Sequence, residues 1–227
     1  EIDVLVKETC VDSDVFILQS LAQKPSEYIV ELFLLADAAK RQGAKSLNAI
    51  IPYLAYMRQD KMVDEHAYSG QVIAQLLSHV FDSVILVEPH VPQVGGFFSV
   101  PVYEIATASL IAKDLQSKEL QLVTMVSPDA GGVRRVEMSK PNTESPVAII
   151  QKTRTENNDV VVGGLLGDVA GRDCIIVDDV LGTGSTLVQA AQLLKQNGAL
   201  SVRAYVTHLM MSAGASIIED SAIDELI

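Results

Sequence analysis

A chain of 227 residues is long enough to bury one large core or two small ones. Apolar residues make up 48% of it and aromatic residues 5%, with no Trp, which suits Val, Ile, Leu and Ala strands and helices packed in layers. The formal net charge of -12 excludes a general nucleic-acid or anionic-membrane surface, which needs Lys and Arg to displace counterions, so an anionic ligand has to be held by local donors. Cys10 and Cys174 form neither a metal spacing nor a secreted disulfide framework, and a reducing cytosol suits them. No apolar run reaches membrane-spanning length, and Glu1-Ile2-Asp3 does not open a signal peptide. The expectation is a cytoplasmic protein with no nucleic-acid or membrane partner.

In chain order, apolar runs of strand length occur at Val15-Leu18, Leu47-Ile51, Val84-Val87, Leu122-Val126, Val147-Ile150, Cys174-Val177 and Val202-Val206. Several are apolar throughout, the pattern of parallel strands covered on both faces. Between them, Glu31-Arg41, Gly70-Leu77, Ser109-Asp114 and Thr186-Asn197 carry apolar residues at helical spacing, and Gly43 and Gly198 supply helix stops. The alternation predicts an α/β chain of two lobes, each a mostly parallel sheet flanked by helices, meeting near Tyr103-Ser109, so that residues 1–106 form one lobe and 107–227 the other. The polar stretches Ser139-Ser145 and Thr153-Asp159 read as surface loops.

The segment Cys174-Ile175-Ile176-Val177-Asp178-Asp179-Val180-Leu181-Gly182-Thr183-Gly184-Ser185-Thr186-Leu187 carries the most chemistry. A strand runs into an acidic pair and then a turn of small residues. Gly182, Thr183, Gly184, Ser185 and Thr186 let backbone N–H groups and hydroxyls curl around a phosphate, and the next helix adds the positive end of its dipole. The 5-phosphate of a sugar fits such a cradle, with Asp178 and Asp179 at the strand end facing ribose hydroxyls or a magnesium ion. A lone Gly-rich turn after an acidic strand end is more often structural, but this whole string resembles the phosphoribosyl pyrophosphate loop of the type I phosphoribosyltransferase fold.

Four further strings, in matching order, are similar to segments of ribose-phosphate pyrophosphokinases that ordinary phosphoribosyltransferases lack. Pro52-Tyr53-Leu54-Ala55-Tyr56-Met57-Arg58-Gln59-Asp60-Lys61 resembles the ATP-binding PYxxYxRQDK segment. Ser127-Pro128-Asp129-Ala130-Gly131-Gly132-Val133-Arg134-Arg135 resembles SPDxGGxxR, Gly167-Asp168-Val169-Ala170-Gly171-Arg172 resembles GDVxGR, and Pro89-His90 with Gly96-Phe97-Phe98 resembles the LH and GFF stretch. Glu1 looks like the end of the family's DGE element, so an N-terminal strand and helix and the last C-terminal elements of the family are expected to be missing. The resemblance implies two tandem phosphoribosyltransferase-like lobes, 1–106 on the ATP side and 107–227 carrying the ribose 5-phosphate loop. It also implies a Mg2+ requirement, dimers assembling to a hexamer, and transfer of the pyrophosphoryl group of ATP to ribose 5-phosphate.

Residue by residue, the resemblance implies that Glu1, Arg58, Gln59, Asp60 and His90 serve ATP, Asp60 by ordering its turn and His90 as a magnesium or phosphate ligand. Asp129 would take magnesium or ribose hydroxyls beside Gly131-Gly132, and Asp178, Asp179 and Gly182 to Thr186 would hold ribose 5-phosphate. Lys152 and Arg154 stand where the family keeps its basic catalytic pair, on a mobile loop that would close over the triphosphate. Without the resemblance, two basic residues in a polar loop are ordinarily solvated surface, and a His after Pro is more often structural.

Three positions depart from the family pattern: Gly182 where the ribose loop usually has an aspartate, Glu88 in place of a metal-binding aspartate, and Met62-Val63-Asp64-Glu65-His66 after Lys61. They leave open a non-catalytic regulatory homologue that binds nucleotide without turnover. A nucleobase phosphoribosyltransferase would leave Arg58-Gln59-Asp60-Lys61 and Ser127 to Gly132 without a role.

Overall fold

Apolar strand runs and helices with one apolar stripe bury each other as a sheet packed on helices, and the chain builds such a layered unit twice, with helices on one face of the first sheet and on both faces of the second. The computed structural model describes residues 2–59, 65–154, 160–210 and 216–227, with backbone alone at 152–154 and 160–162. The chain divides into two compact units, residues 1–106 and 107–227.

In the first unit β1 (Asp14–Leu18), α1 (Pro25–Arg41), β2 (Ser46–Ile51), α2 (Ser69–Val80), β3 (Ser83–Val87) and β4 (Val102–Ile105) follow one another, with a 3-10 turn at Pro92–Phe97. The sheet order is β1-β2-β3-β4, and every pair is parallel. Parallel crossovers are right-handed, so stepwise order carries α1 and α2 to one face, where Leu32 and Ala36 of α1 and Ala74 and Leu77 of α2 pack on Leu47, Ala49, Ile51, Val84 and Leu86. Helix α1 starts six residues before its apolar spacing would place it, because Pro25 occupies the first turn, where no N–H is needed. Strand β4 escapes the sequence reading because it is four residues long and mostly exposed.

The second unit contains α3 (Ala108–Ser117), β5 (Thr124–Ser127), α4 (Val133–Met138), β6 (Val147–Arg154), β7 (Val160–Leu166), β8 (Asp173–Leu181), α5 (Ser185–Gln196), β9 (Ser201–Leu209), α6 (Ser216–Glu219) and β10 (Glu225–Leu226). Its sheet order is β10-β9-β8-β5-β6-β7, and β7 is its antiparallel member. Along β8, Cys174 and Ile176 join the core under α5, while Ile175 and Val177 join the core under α3 and α4. That two-sided burial is why the strand reads as an unbroken apolar run.

Three expectations change. The run at Leu122-Val126 starts as a strand only at Thr124, since Leu122 is 67% exposed with φ +40. Strand β6 continues through Thr153 and Arg154, which were expected in a loop, because Val160, Val161 and Val162 supply an antiparallel partner; residues 155–159 lie outside the described residues. The segment Ser139-Ser145 is irregular as expected, but Ser139 and Ser145 are themselves buried. Both glycine stops hold: Gly43 (φ +90) and Gly198 (φ +87) donate to Lys40 O and Lys195 O, and Ala44 and Ala199 close back on Ala39 O and Leu194 O. Among the described residues no helix is long and apolar enough to cross a membrane.

Candidate active site

In the second sheet β5 and β8 are neighbours, yet β5 leads on to β6 on one side and β8 to β9 on the other. The sheet thus reverses its winding between them, and ligands of open α/β sheets bind at the carboxyl ends of strands at such a point. The loops that meet there are Pro128 to Gly132 after β5 and Gly182 to Gly184 after β8.

The β8 loop enters α5 through Gly184, whose φ of +86 is left-handed, and a Cβ there would lie 3.0 Å from Ile217 Cγ2 and 3.3 Å from Ile218 Cδ1. Glycine is the residue that meets both conditions. Gly182 differs: a Cβ there would meet nothing within 4 Å. The hydroxyls of Thr183 and Ser185 lie 3.0 Å apart, and no side chain caps α5. The first N–H groups of a helix have no intrahelical acceptor, so this end suits an anion.

The acidic pair lies inside β8, which runs on to Leu181, whereas the apolar run alone would end the strand at Val177. Asp178 Oδ1 accepts the Asp179 N–H at 2.9 Å. Burial above all, then the neighbouring charge of Asp179, push the Asp178 carboxyl up to about 7, against the pull of the Asp179 N–H and of Arg135. Asp179 is 5% exposed, and Arg135 Nη1 approaches its Oδ1 to 3.4 Å.

After β5, Asp129 Oδ1 accepts the N–H groups of Gly131 (3.0 Å) and Gly132 (3.1 Å), and Ser127 Oγ donates to Asp129 O at 2.6 Å. The carboxylate therefore shapes its own turn with one oxygen. Lys152 and Arg154 sit in β6, opposite Val162 and Val160, with a register shift between Gln151 and Lys152. The basic pair thus belongs to a two-stranded ribbon and not to the loop expected for it; paired backbone outcompetes the polar character of its side chains.

In the first unit Arg58 and Gln59 are exposed on the turn that follows β2, held by the buried side chains of Leu54, Ala55 and Met57 beneath it. Tyr56 has φ +70, and its hydroxyl lies 3.0 Å from Ser26 Oγ. Gln59 Oε1 accepts a hydrogen bond from Ser69 Oγ, and Gly70 N–H donates to Gln59 O at 3.4 Å, tying the turn to the start of α2. His90 is half-buried beyond β3, where Glu88 adopts φ +41. Glu1 and Asp60 lie outside the described residues. Among the described residues no three His, Cys, Asp or Glu side chains gather into a metal site. Sequence reasoning gave Arg135 no role, although the arginine of SPDxGGxxR falls on it and not on Arg134; Arg134 is exposed and Arg135 half-buried.

Comparisons with known proteins agree on what this arrangement is. Residues 1–80 match the model of the N-terminal domain of ribose phosphate pyrophosphokinase, and residues 98–224 match that of the phosphoribosyl transferase domain. The chain is 40% identical over 232 residues to the ribose-phosphate pyrophosphokinase of Vibrio parahaemolyticus, covering 100% of this chain and 74% of the relative. With that of Shewanella oneidensis the identity is 41% at the same coverage. The crystal structure of phosphoribosylpyrophosphate synthetase from Mycobacterium smegmatis superposes with a TM-score of 0.92 at 32% identity, over 100% of this chain and 75% of that one. Two phosphoribosyltransferase-like lobes in one chain, and relatives matched along its whole length, leave one assignment: the chain belongs to the ribose-phosphate pyrophosphokinase family of enzymes.

Proposed function

We propose that the chain transfers the pyrophosphoryl group of ATP to the C1 hydroxyl of ribose 5-phosphate, giving phosphoribosyl pyrophosphate and AMP. The C1 oxygen attacks the β-phosphorus, the bond from that phosphorus to the α,β-bridging oxygen breaks, and AMP leaves with that oxygen. The observation that carries this reading is the anion-receptive end of α5, entered through left-handed Gly184, beside Asp178 and Asp179 at the reversal of the sheet. A sugar 5-phosphate needs the first and ribose hydroxyls the second.

In this reading the lobe 107–227 binds ribose 5-phosphate. Gly182, Thr183, Gly184, Ser185 and Thr186 take its phosphate, and Asp178 and Asp129 serve its hydroxyls, with buried Asp179 behind Asp178. The lobe 1–106 serves ATP through Arg58, Gln59, Asp60, His90 and Glu1. A guanidinium at Arg58 can hold phosphate or stack on adenine, and the exposure of Arg58 and Gln59 supports that use. Lys152 and Arg154 neutralise charge as it moves onto AMP.

Mg2+ is the implied ion, with Asp129 and His90 as candidate ligands. Being hard, it prefers carboxylate oxygen and substrate phosphate and needs few protein ligands, so Asp129 and Asp178 on adjoining strand ends fit it, while the imidazole of His90 suits a phosphate oxygen. Bound there, it would spread the triphosphate's negative charge. Dimers assembling to a hexamer follow from the family resemblance, and thiols that are not disulfide-bonded at Cys10 and Cys174 support a reducing cytoplasm.

The test is to incubate the protein with ATP, Mg2+ and ribose 5-phosphate and follow AMP against phosphoribosyl pyrophosphate; the two should rise one for one. A regulatory homologue, which Gly182 favours by removing a carboxylate from the ribose loop, would bind ribose 5-phosphate and form no AMP. Release of pyrophosphate from supplied phosphoribosyl pyrophosphate only on adding a nucleobase would identify a nucleobase phosphoribosyltransferase.

A further inference from the structure

The acidic pair raises a question that ribose binding by itself does not answer. Successive strand residues point to opposite faces, so Asp179 shares the α3–α4 face of β8 with Ile175 and Val177. Its carboxylate is 7% exposed and is met there by the Arg135 guanidinium, itself 13% exposed, at 3.4 Å. A carboxylate that deep is poorly placed to greet a diffusing sugar, and a charge that deep is costly unless paired. Asp178, by contrast, is half-buried on the same strand end.

Arg135 also belongs to the second loop of the site. It stands one turn into α4, and α4 begins directly after Gly131 and Gly132, whose N–H groups hold Asp129 Oδ1. A Cβ on Gly132 would lie 2.8 Å from Ser127 Oγ and 3.9 Å from Arg135 Nη1, so the loop after β5 is packed between that hydroxyl and the guanidinium. One side chain therefore spans the reversal of the sheet, anchored in the element after β5 and bonded to the last turn-ward part of β8.

We propose that Arg135 is a positioning residue for ribose 5-phosphate: by pairing with buried Asp179 it locks the end of β8 to the loop after β5 and so sets the spacing of Asp129 and Asp178. The inference rests on the ribose 5-phosphate reading above. Asp179, on this account, acts through Arg135 and through its N–H bond to Asp178, and Asp178 and Asp129 are the carboxylates that reach the sugar. Lysine should not replace Arg135, since a compact ammonium on a flexible stem does not fill the place of the planar guanidinium that lies against both Asp179 and Gly132.

The test measures binding of ribose 5-phosphate by calorimetry in the presence of Mg2+, binding of ATP in the same way, and thermal melting, for the full chain and for Arg135→Lys, Arg135→Met and the double change Arg135→Met with Asp179→Asn. Displacement of a site by about an ångström costs on the order of 100-fold, so Arg135→Lys should weaken ribose 5-phosphate between about 10- and 100-fold and ATP by less than about twofold. Arg135→Met takes away the guanidinium that faces buried Asp179 and should melt lowest; the double change removes both charges and should recover much of the melting temperature without recovering the sugar affinity. If the double change restores affinity along with stability, or if Arg135→Lys binds the sugar as the wild type does, the pair is only structural and the inference fails. Binding by the wild type without AMP formation would overturn the enzymatic reading and leave these comparisons intact. Absence of ribose 5-phosphate binding by the wild type would overturn both.

Discussion

Gly182 and Gly184 stand two residues apart in one loop, yet alanine should have very different consequences at them. At Gly184 an L-residue is forced to φ +86, which costs about 1–2 kcal/mol. The new methyl then presses on Ile217 Cγ2 at 3.0 Å and Ile218 Cδ1 at 3.3 Å, adding about 1 kcal/mol at the lower end of overpacking costs. Stiffening of the unfolded chain returns about 0.4–1 kcal/mol. The net loss is about 2 kcal/mol, and for a domain of this size about 4 °C per kcal/mol gives a fall in Tm of roughly 8 °C. At Gly182 the added methyl meets nothing within 4 Å and the backbone is not left-handed, so Gly182→Ala should shift Tm by no more than about 2 °C. Thermal melts followed by circular dichroism, without ligand, compare the two variants directly. Indistinguishable melting would refute the left-handed entry into α5 and with it the shape assigned to the phosphate cradle.

Asp178 should make stability depend on pH in an unusual direction. Its folded carboxyl is pushed up to about 7 from 3.8, so between those values the unfolded chain has given up a proton that the folded chain keeps, and stability falls as pH rises. Asp178→Asn removes that loss: in metal-free buffer it should melt above wild type beyond pH about 7, with the gain shrinking to nothing near pH 4, and a gain that grows on acidification would contradict the burial of this group. Lys152→Ala should lower kcat by about 100- to 1000-fold, as removal of a charge-stabilising donor does, while Tm stays within about 2 °C; a parallel fall in Tm would assign the loss to the β6–β7 ribbon. Cys174 is fully buried, and burial followed by the charge of Asp173 pushes its thiol up to about 12. A thiol-specific disulfide reagent at neutral pH should therefore modify half-buried Cys10 quickly in the native protein and Cys174 only after denaturation, and rapid reaction of both would count against the closed core around β8.

Gly182→Asp bears on the departure from the family pattern. The space at Gly182 admits a side chain without strain, so the substitution should fold normally, and an altered affinity for ribose 5-phosphate would show that the loop still addresses the sugar at that position.

What the amino-acid sequence determined unaided was local. Apolar runs of strand length located seven strands, helical spacing located four helices, and Gly43 and Gly198 marked two helix ends, because each of these follows from contacts within a few residues. The turn of small residues and the acidic pair were legible for the same reason, being one contiguous string. Tertiary structure decided the rest. Strand β7, and with it the change of Lys152 and Arg154 from loop to ribbon, depends on Val160 to Val162 finding β6. Strand β8 extends over two aspartates against its own charge because β9 pairs with it up to Leu209. The partner of Arg135 was likewise invisible, since it depends on where α4 turns above a carboxylate distant in sequence. A buried charge is tolerated only where an opposite one meets it in space, and no local pattern records that meeting.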